Sequence, residues 1–141
     1  MSATVQITLQ NNTDELQRLN DLVAQFGADN AFTVQEEYAV FLCLEELSTN
    51  IINYAWPNDS GEHTFDVRLT VDETAIKIEF QDNGIPFDPT KVPAQDTSKP
   101  AHERQIGGLG IHLVRQQCSE MFYERMDEKN VLFVKIKRGQ G

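Results

Sequence analysis

The chain predicts an α+β fold: one mixed, mostly antiparallel sheet with helices packed on one face. Three features lead there. Runs that alternate apolar and polar residues occur at the start, in the middle and at the end of the chain, and two helical patterns lie between the first and second of them. The order that results is βα, long α, ββ, loop, α, ββ.

Val5, Ile7 and Leu9 alternate with Thr4, Gln6, Thr8 and Gln10, a period of two that marks a half-buried strand. Asn12 or Thr13 then caps a helix in which Leu16, Leu19, Val23 and Phe26 recur at helical spacing, with Gly27 as its end. Thr33 and Glu36 form a capping box, and no Gly or Pro follows until Pro57, so one long helix runs over residues 33–54. Val40, Leu44, Leu47, Ile51 and Tyr54 make its apolar arc, extended by Val34, Phe41 and Ile52. Beside that arc, Ala39, Cys43, Glu46, Asn50 and Asn53 share a lane about 80° wide.

A breaker cluster at residues 56–61 stops the helix. Alternating runs at about 63–71 and 74–81 form a hairpin across Asp72-Glu73, and the second runs into Asp82-Asn83-Gly84-Ile85-Pro86. Residues 86–100 hold four of the five prolines and hardly an apolar side chain, which predicts a long loop without helix or strand. Gly107-Gly108-Leu109-Gly110 opens a short helix at about 111–118, with Leu113 and Val114 facing inward. Two last strands, about 121–126 and 131–137, are joined by Asp127-Glu128-Lys129-Asn130.

With 141 residues the chain holds one well-buried core, so residues 1–141 are read as a single domain. Nothing approaches a membrane span or a signal peptide, which makes the cytoplasm the default location. A formal charge of −10 opposes tight binding to nucleic acid or anionic membrane and points to a protein or small-molecule partner. Cys43 and Cys118 stand far apart without a CxxC and read as reduced, buried thiols.

Three clusters carry chemistry. Glu46 and Asn50 are four apart, so their side chains meet on one face; a carboxamide oxygen suits magnesium, and a carboxylate one turn away can take a proton. An ordinary polar helix face would look the same. Asp82 at a strand end is either a turn residue or, if buried, an acceptor for an exocyclic amine such as adenine N6, with Gly84 letting a flat base approach. Three glycines ahead of a helix can bring N–H groups to phosphate oxygens, or simply form a hinge. The run lacks both the GxxxxGK[ST] of a P-loop and the dinucleotide fingerprint.

Taken in order, E-x-x-x-N, D-x-G-x-P and G-x-G within about 65 residues resemble the N, G1 and G2 boxes of the GHKL ATPase superfamily. In detail E-E-L-S-T-N-I-I-N-Y-A, D-N-G-I-P-F-D-P and R-Q-I-G-G-L-G-I-H-L-V are most similar to the small anti-sigma-factor serine/threonine kinases. The resemblance covers about residues 30–138 and implies a Bergerat-type ATP-binding fold, a two-layer sandwich binding ATP and Mg²⁺.

It further implies Glu46 as the base acting on a substrate hydroxyl, Asn50 as the magnesium ligand and Asp82 as the adenine reader, with Gly84 beneath the base. Gly107, Gly108, Leu109 and Gly110 would hold phosphates beneath a lid over about residues 90–106, with Arg104 placed to meet a phosphate and Asn53 near the site. The implied partners are a sigma factor and a phosphorylatable antagonist protein, and relatives of this type commonly form homodimers through the first strand and helix. One departure stands out: where many members carry Gly-Thr before the last strand, this chain reads Lys129-Asn130-Val131-Leu132. Two functions result, a kinase that phosphorylates the antagonist and sequesters the sigma factor, or a nucleotide-sensing binding module without transfer.

Overall fold

The computed structural model describes residues 2–59, 61–91 and 108–139. Among the described residues, five strands and three α-helices follow in the expected order: β1 (Ala3–Gln10), α1 (Glu15–Asp29), α2 (Val34–Tyr54), β2 (Thr64–Val71), β3 (Ala75–Asp82), α3 (Gly108–Gln117), β4 (Glu120–Met126) and β5 (Lys129–Lys137). The sheet order is β1-β2-β3-β5-β4, and all four ladders are antiparallel, so none of the mixed pairing allowed for above occurs among the described residues.

The period of two sets the core. Val67 pairs with Phe80 and Leu69 with Ile78 across β2 and β3, and Phe80 pairs with Leu132 and Ile78 with Val134 across β3 and β5. All are buried, packed with Leu19, Val23, Val40, Leu44 and Leu47 of the helices. The next residue of the same parity on each of the two central strands is polar: Asp82 on β3 and Asn130 on β5, which face each other in register. The fold thus carries two polar side chains onto the core face at its last rung.

The Thr33 capping box forms as the sequence indicates: Glu36 N–H donates to the Thr33 hydroxyl at 3.0 Å, and Thr33 N–H to the Glu36 carboxylate at 2.9 Å. Elsewhere the structure departs from the sequence reading in several places. Helix α1 continues past Gly27 to Asp29, and the bare Cα of Gly27 is where the Phe32 ring packs; a Cβ there would lie 2.9 Å from that ring. At its start neither candidate side chain caps the helix; Asn12 Oδ1 instead takes the Asp14 N–H at 2.8 Å, outside the helix. Within the stretch read as a loop, Asp88 accepts from the Thr90 N–H at 2.9 Å and Pro89–Lys91 forms one 3₁₀ turn. The β4–β5 connection has only two loop residues, Asp127 and Glu128, with φ of 52° and 64°. That left-handed pair matches the twist of a tight hairpin and draws Lys129 and Asn130 into β5.

Helix α3 begins at Gly108, so Gly108, Leu109 and Gly110 occupy its first turn instead of preceding it. Glycine is tolerated there because the first N–H groups of a helix have no partner within it. Cys43 is buried and Cys118 half-buried, both as free thiols, and burial pushes the Cys43 thiol up to about 12. No helix among the described residues is long and apolar enough to cross a membrane.

At the end of the sheet opposite Asp82, Arg138 closes the fold. Its guanidinium donates to Glu36 at 3.2 and 3.3 Å and to the carbonyls of Asn30, Ala31 and Asp72, joining the α1–α2 junction, the β2–β3 turn and the end of β5. Burial raises the Glu36 carboxyl, but hydrogen bonds from Arg138 and from the Thr33 and Gly139 N–H groups outweigh it and hold Glu36 below its ordinary 4.5. Arg138→Ala strands a buried carboxylate and is expected to destabilise the protein by about 3 kcal/mol. Because the folded value is lowered, the gap between wild type and variant is full above the ordinary carboxylate range and shrinks as pH falls through the Glu36 value in the fold. Denaturant melts at a series of pH values check this; a gap independent of pH would remove Glu36 from the account.

Candidate functional site

Helix α2 ends over the last rung of the sheet. Its C-terminal turn, the β3 exit and the start of β5 enclose a pocket of about 480 Å³, counting the space open to solvent at its mouth. Phe80, Leu132, Leu47, Ile51, Ile85 and Phe87 form apolar walls, and Asp82, Asn50 and Asn130 contribute the convergent polar groups, with Tyr54 and Tyr123 at the side. A flat, largely apolar ligand with a few polar edges suits such a cavity.

Asp82 is 7% exposed. Burial pushes its carboxyl above the ordinary 3.8, against the hydrogen bonds from Asn130 and the Gly84 N–H and the nearby charge of Arg125. Its Oδ1 accepts from Gly84 N–H at 2.8 Å and from Asn130 Nδ2 at 2.9 Å. The β3 exit is anchored from both sides. Ile85 N–H donates to the Ala55 carbonyl at 2.8 Å, Arg125 Nη1 to the Gly84 carbonyl at 2.8 Å, and Trp56 Nε1 to Asn83 Oδ1 at 3.1 Å.

Gly84 is required for a reason the sequence does not display. A Cβ there would overlap the carbonyl and methyl group of Ala55, so the glycine serves the contact between the β3 exit and the end of α2. The direction a side chain at Gly84 would take is filled by Ala55.

The polar lane of α2 divides. Asn50 lines the pocket, and its amide nitrogen is buried without a partner among the described residues, a donor that the fold leaves unsatisfied. Glu46, one turn earlier, lies against α3: a Cβ on Gly110 would run into the Glu46 carboxylate. The first turn of the glycine helix and Glu46 are therefore brought together across the 64 positions that separate Glu46 from Gly110. Asn53 is exposed and does not line the pocket. Arg104, Gly107 and all but the first two residues of the expected lid, 90–106, lie outside the described residues.

The donor set fits magnesium held chiefly by its ligand. Among the described residues no group of three His, Cys, Asp or Glu could hold a metal ion, and Asn50 offers one hard oxygen. Mg²⁺ dehydrates reluctantly and is bound through few protein ligands plus substrate phosphates and water, so a single carboxamide is a sufficient protein contribution.

Asn130, Tyr123 and Ala55 were not singled out as site residues. Asn130 was legible in principle: counting back from Ile136, Val134 and Leu132 by twos lands on it, so a polar residue at core parity was already in the sequence. It also supplies a polar group at the stretch where the Gly-Thr pair is missing.

The chain has known relatives in sequence and in fold. The family described as "Histidine kinase-like ATPase domain" matches residues 9–136. The serine/threonine-protein kinase BtrW of Bordetella bronchiseptica is 25% identical over 128 residues, 89% of this chain and 85% of that protein. The serine-protein kinase RsbW of Bacillus cereus is 31% identical over 104 residues, 70% of this chain, and the aligned stretch spans 64% of that relative's length. Among solved structures, the RsbU and RsbW domains of Rv1364c from Mycobacterium tuberculosis superpose with a TM-score of 0.67 over 96% of this chain and 32% of that one; at 10% identity this shows the fold. With the pocket, the register and the matched span together, the chain belongs to the histidine kinase-like ATPase domain family.

Proposed function

We propose that the protein is an ATP-binding anti-sigma regulatory factor, a Mg²⁺-dependent serine/threonine kinase that phosphorylates an antagonist protein and sequesters a sigma factor. The observation that supports the reading is that Asp82 and Asn50 line one pocket while Glu46, one turn before Asn50 on α2, lies against Gly110 in the opening turn of α3. The relatives named as serine kinases support the same reaction class.

Bound Mg·ATP supplies the phosphoryl group and the positive charge that stabilises its transfer. The chain's own residues recognise, hold and deprotonate. Asp82 accepts a hydrogen bond from the exocyclic amine of adenine at the end of the apolar cleft, and Asn50 offers its carboxamide oxygen to the metal. The opening turn of α3 presents unpaired N–H groups and the positive end of a helix dipole to phosphate. Glu46 takes the proton of a partner's serine hydroxyl as its oxygen attacks. A homodimer through the exposed edge of β1, one of the two outer strands, completes the proposal.

A nucleotide-sensing module without transfer drew its support from the missing Gly-Thr pair. Asn130 reaching Asp82 from that very stretch weakens the argument.

Glu46→Ala is expected to retain Mg·ATP binding and lose transfer to the antagonist by about 10²–10⁴-fold, read from labelled ATP; undiminished transfer sinks the assignment. Asp82→Asn should weaken ATP binding by about 1.5–3 kcal/mol in calorimetry. An equal loss for GTP would show that the carboxylate does not read the base. Gly84→Ala pushes the β3 exit off Ala55 and should reduce nucleotide affinity and thermal stability together, a variant as stable and as tight as wild type being the contrary result.

A further inference from the structure

The two oxygens of Asp82 have different surroundings. Oδ1 is filled by the Gly84 and Asn130 donors, while Oδ2 takes no hydrogen bond from the described residues. Asn130 is itself held in one orientation. Its Oδ1 accepts from the Tyr123 hydroxyl and, at 3.4 Å, from the Phe87 N–H, and its Nδ2 donates also to the Ile85 carbonyl at 2.8 Å. Turning the amide over would set its oxygen against a carboxylate and a carbonyl, neither of which can donate.

We infer that Asn130 is the positioning residue that makes this pocket select purines carrying an amine at C6. It occupies one oxygen of Asp82 and leaves the other as a pure acceptor at the pocket. The Tyr123 hydroxyl fixes the amide so that Asn130 can only donate toward Asp82. The inference rests on the nucleotide reading of the pocket.

Ionisation is part of the same device. A protonated Asp82 would carry an O–H able to donate to a carbonyl such as guanine O6, so a neutral Asp82 loses discrimination. Burial pushes Asp82 toward that neutral form, and the Asn130 hydrogen bond is the foremost influence opposing it, ahead of the Gly84 N–H and Arg125. The other titratable or charged side chains around it are Tyr123 on β4 and Tyr54 on α2 in the pocket, with Asp66 on β2 and Lys129 on β5 across the shallow groove behind. Removing Asn130 therefore raises the pH at which Asp82 takes up its proton.

The test is calorimetry on the whole chain and on Asn130→Ala and Tyr123→Phe, each with the magnesium complexes of ATP, GTP and purine riboside triphosphate, which lacks the amine, between about pH 5 and pH 8. In Asn130→Ala, ATP affinity is expected to fall about tenfold or more. The amine-free nucleotide should bind as before, and the acid-side loss of ATP selectivity should start at higher pH. Tyr123→Phe moves the same readouts in the same direction by less. Equal losses for all three nucleotides would show a merely structural role and overturn the inference, as would a variant with wild-type ATP affinity and pH profile. Should Asn130→Ala not fold, Tyr123→Phe decides by the same comparison. Wild type binding the amine-free nucleotide as tightly as ATP overturns the positioning role alone, whereas wild type binding no nucleotide overturns the functional reading with it.

Discussion

The burial of one carboxylate organises this molecule. Asp82 is carried onto the core face by the same alternation that buries Ile76, Ile78 and Phe80, and the end of α2 covers it. Taking a carboxylate out of water is unfavourable unless hydrogen bonds replace the lost hydration. The surrounding structure supplies them: the Gly84 N–H turns back onto Asp82, and β5 brings an amide into register on the other side.

That requirement explains features that otherwise look unrelated. The hairpin between β4 and β5 turns on two residues with positive φ, which places Asn130 inside the strand and opposite Asp82. Arg125 and Tyr123, two and four residues before that turn, reach the Gly84 carbonyl and the Asn130 amide. Gly84 has no side chain because Ala55 occupies the space, and the Ile85 N–H closes the same contact onto the end of α2. The floor of the pocket is thus a hydrogen-bonded network in which few groups can move independently, as expected of a site that presents a preorganised acceptor. At its rim the network stops: the Asn50 amide nitrogen has no partner among the described residues, and the Glu46 carboxylate lies against Gly110 in the opening turn of α3.

Much of this was legible from residues alone. The Thr33–Glu36 capping box, the β2–β3 hairpin across Asp72 and the shared face of Glu46 and Asn50 depend on spacing within a few residues, and local geometry decides them. Asn130 falls in the loop of the sequence reading, which begins the last strand at about residue 131, two residues after its start at Lys129. A breaker-like Asp-Glu-Lys-Asn run resembles a four-residue loop, and only the register with β3 shows that two of those residues belong to the ladder. Gly27 misled for a similar reason: a helix-ending glycine and one that accommodates the Phe32 ring are indistinguishable until that ring is placed.

Alternation and helical periodicity by themselves determined the α+β class, the order of elements, the core residues and the three chemical clusters, because each is a pattern of near neighbours along the chain. Tertiary structure alone decided that Glu46 meets Gly110, that Gly84 yields to Ala55 and that Asn130 faces Asp82. Those contacts join residues 29 to 64 positions apart, and the close packing and strand register that create them have no signature in any short stretch of sequence.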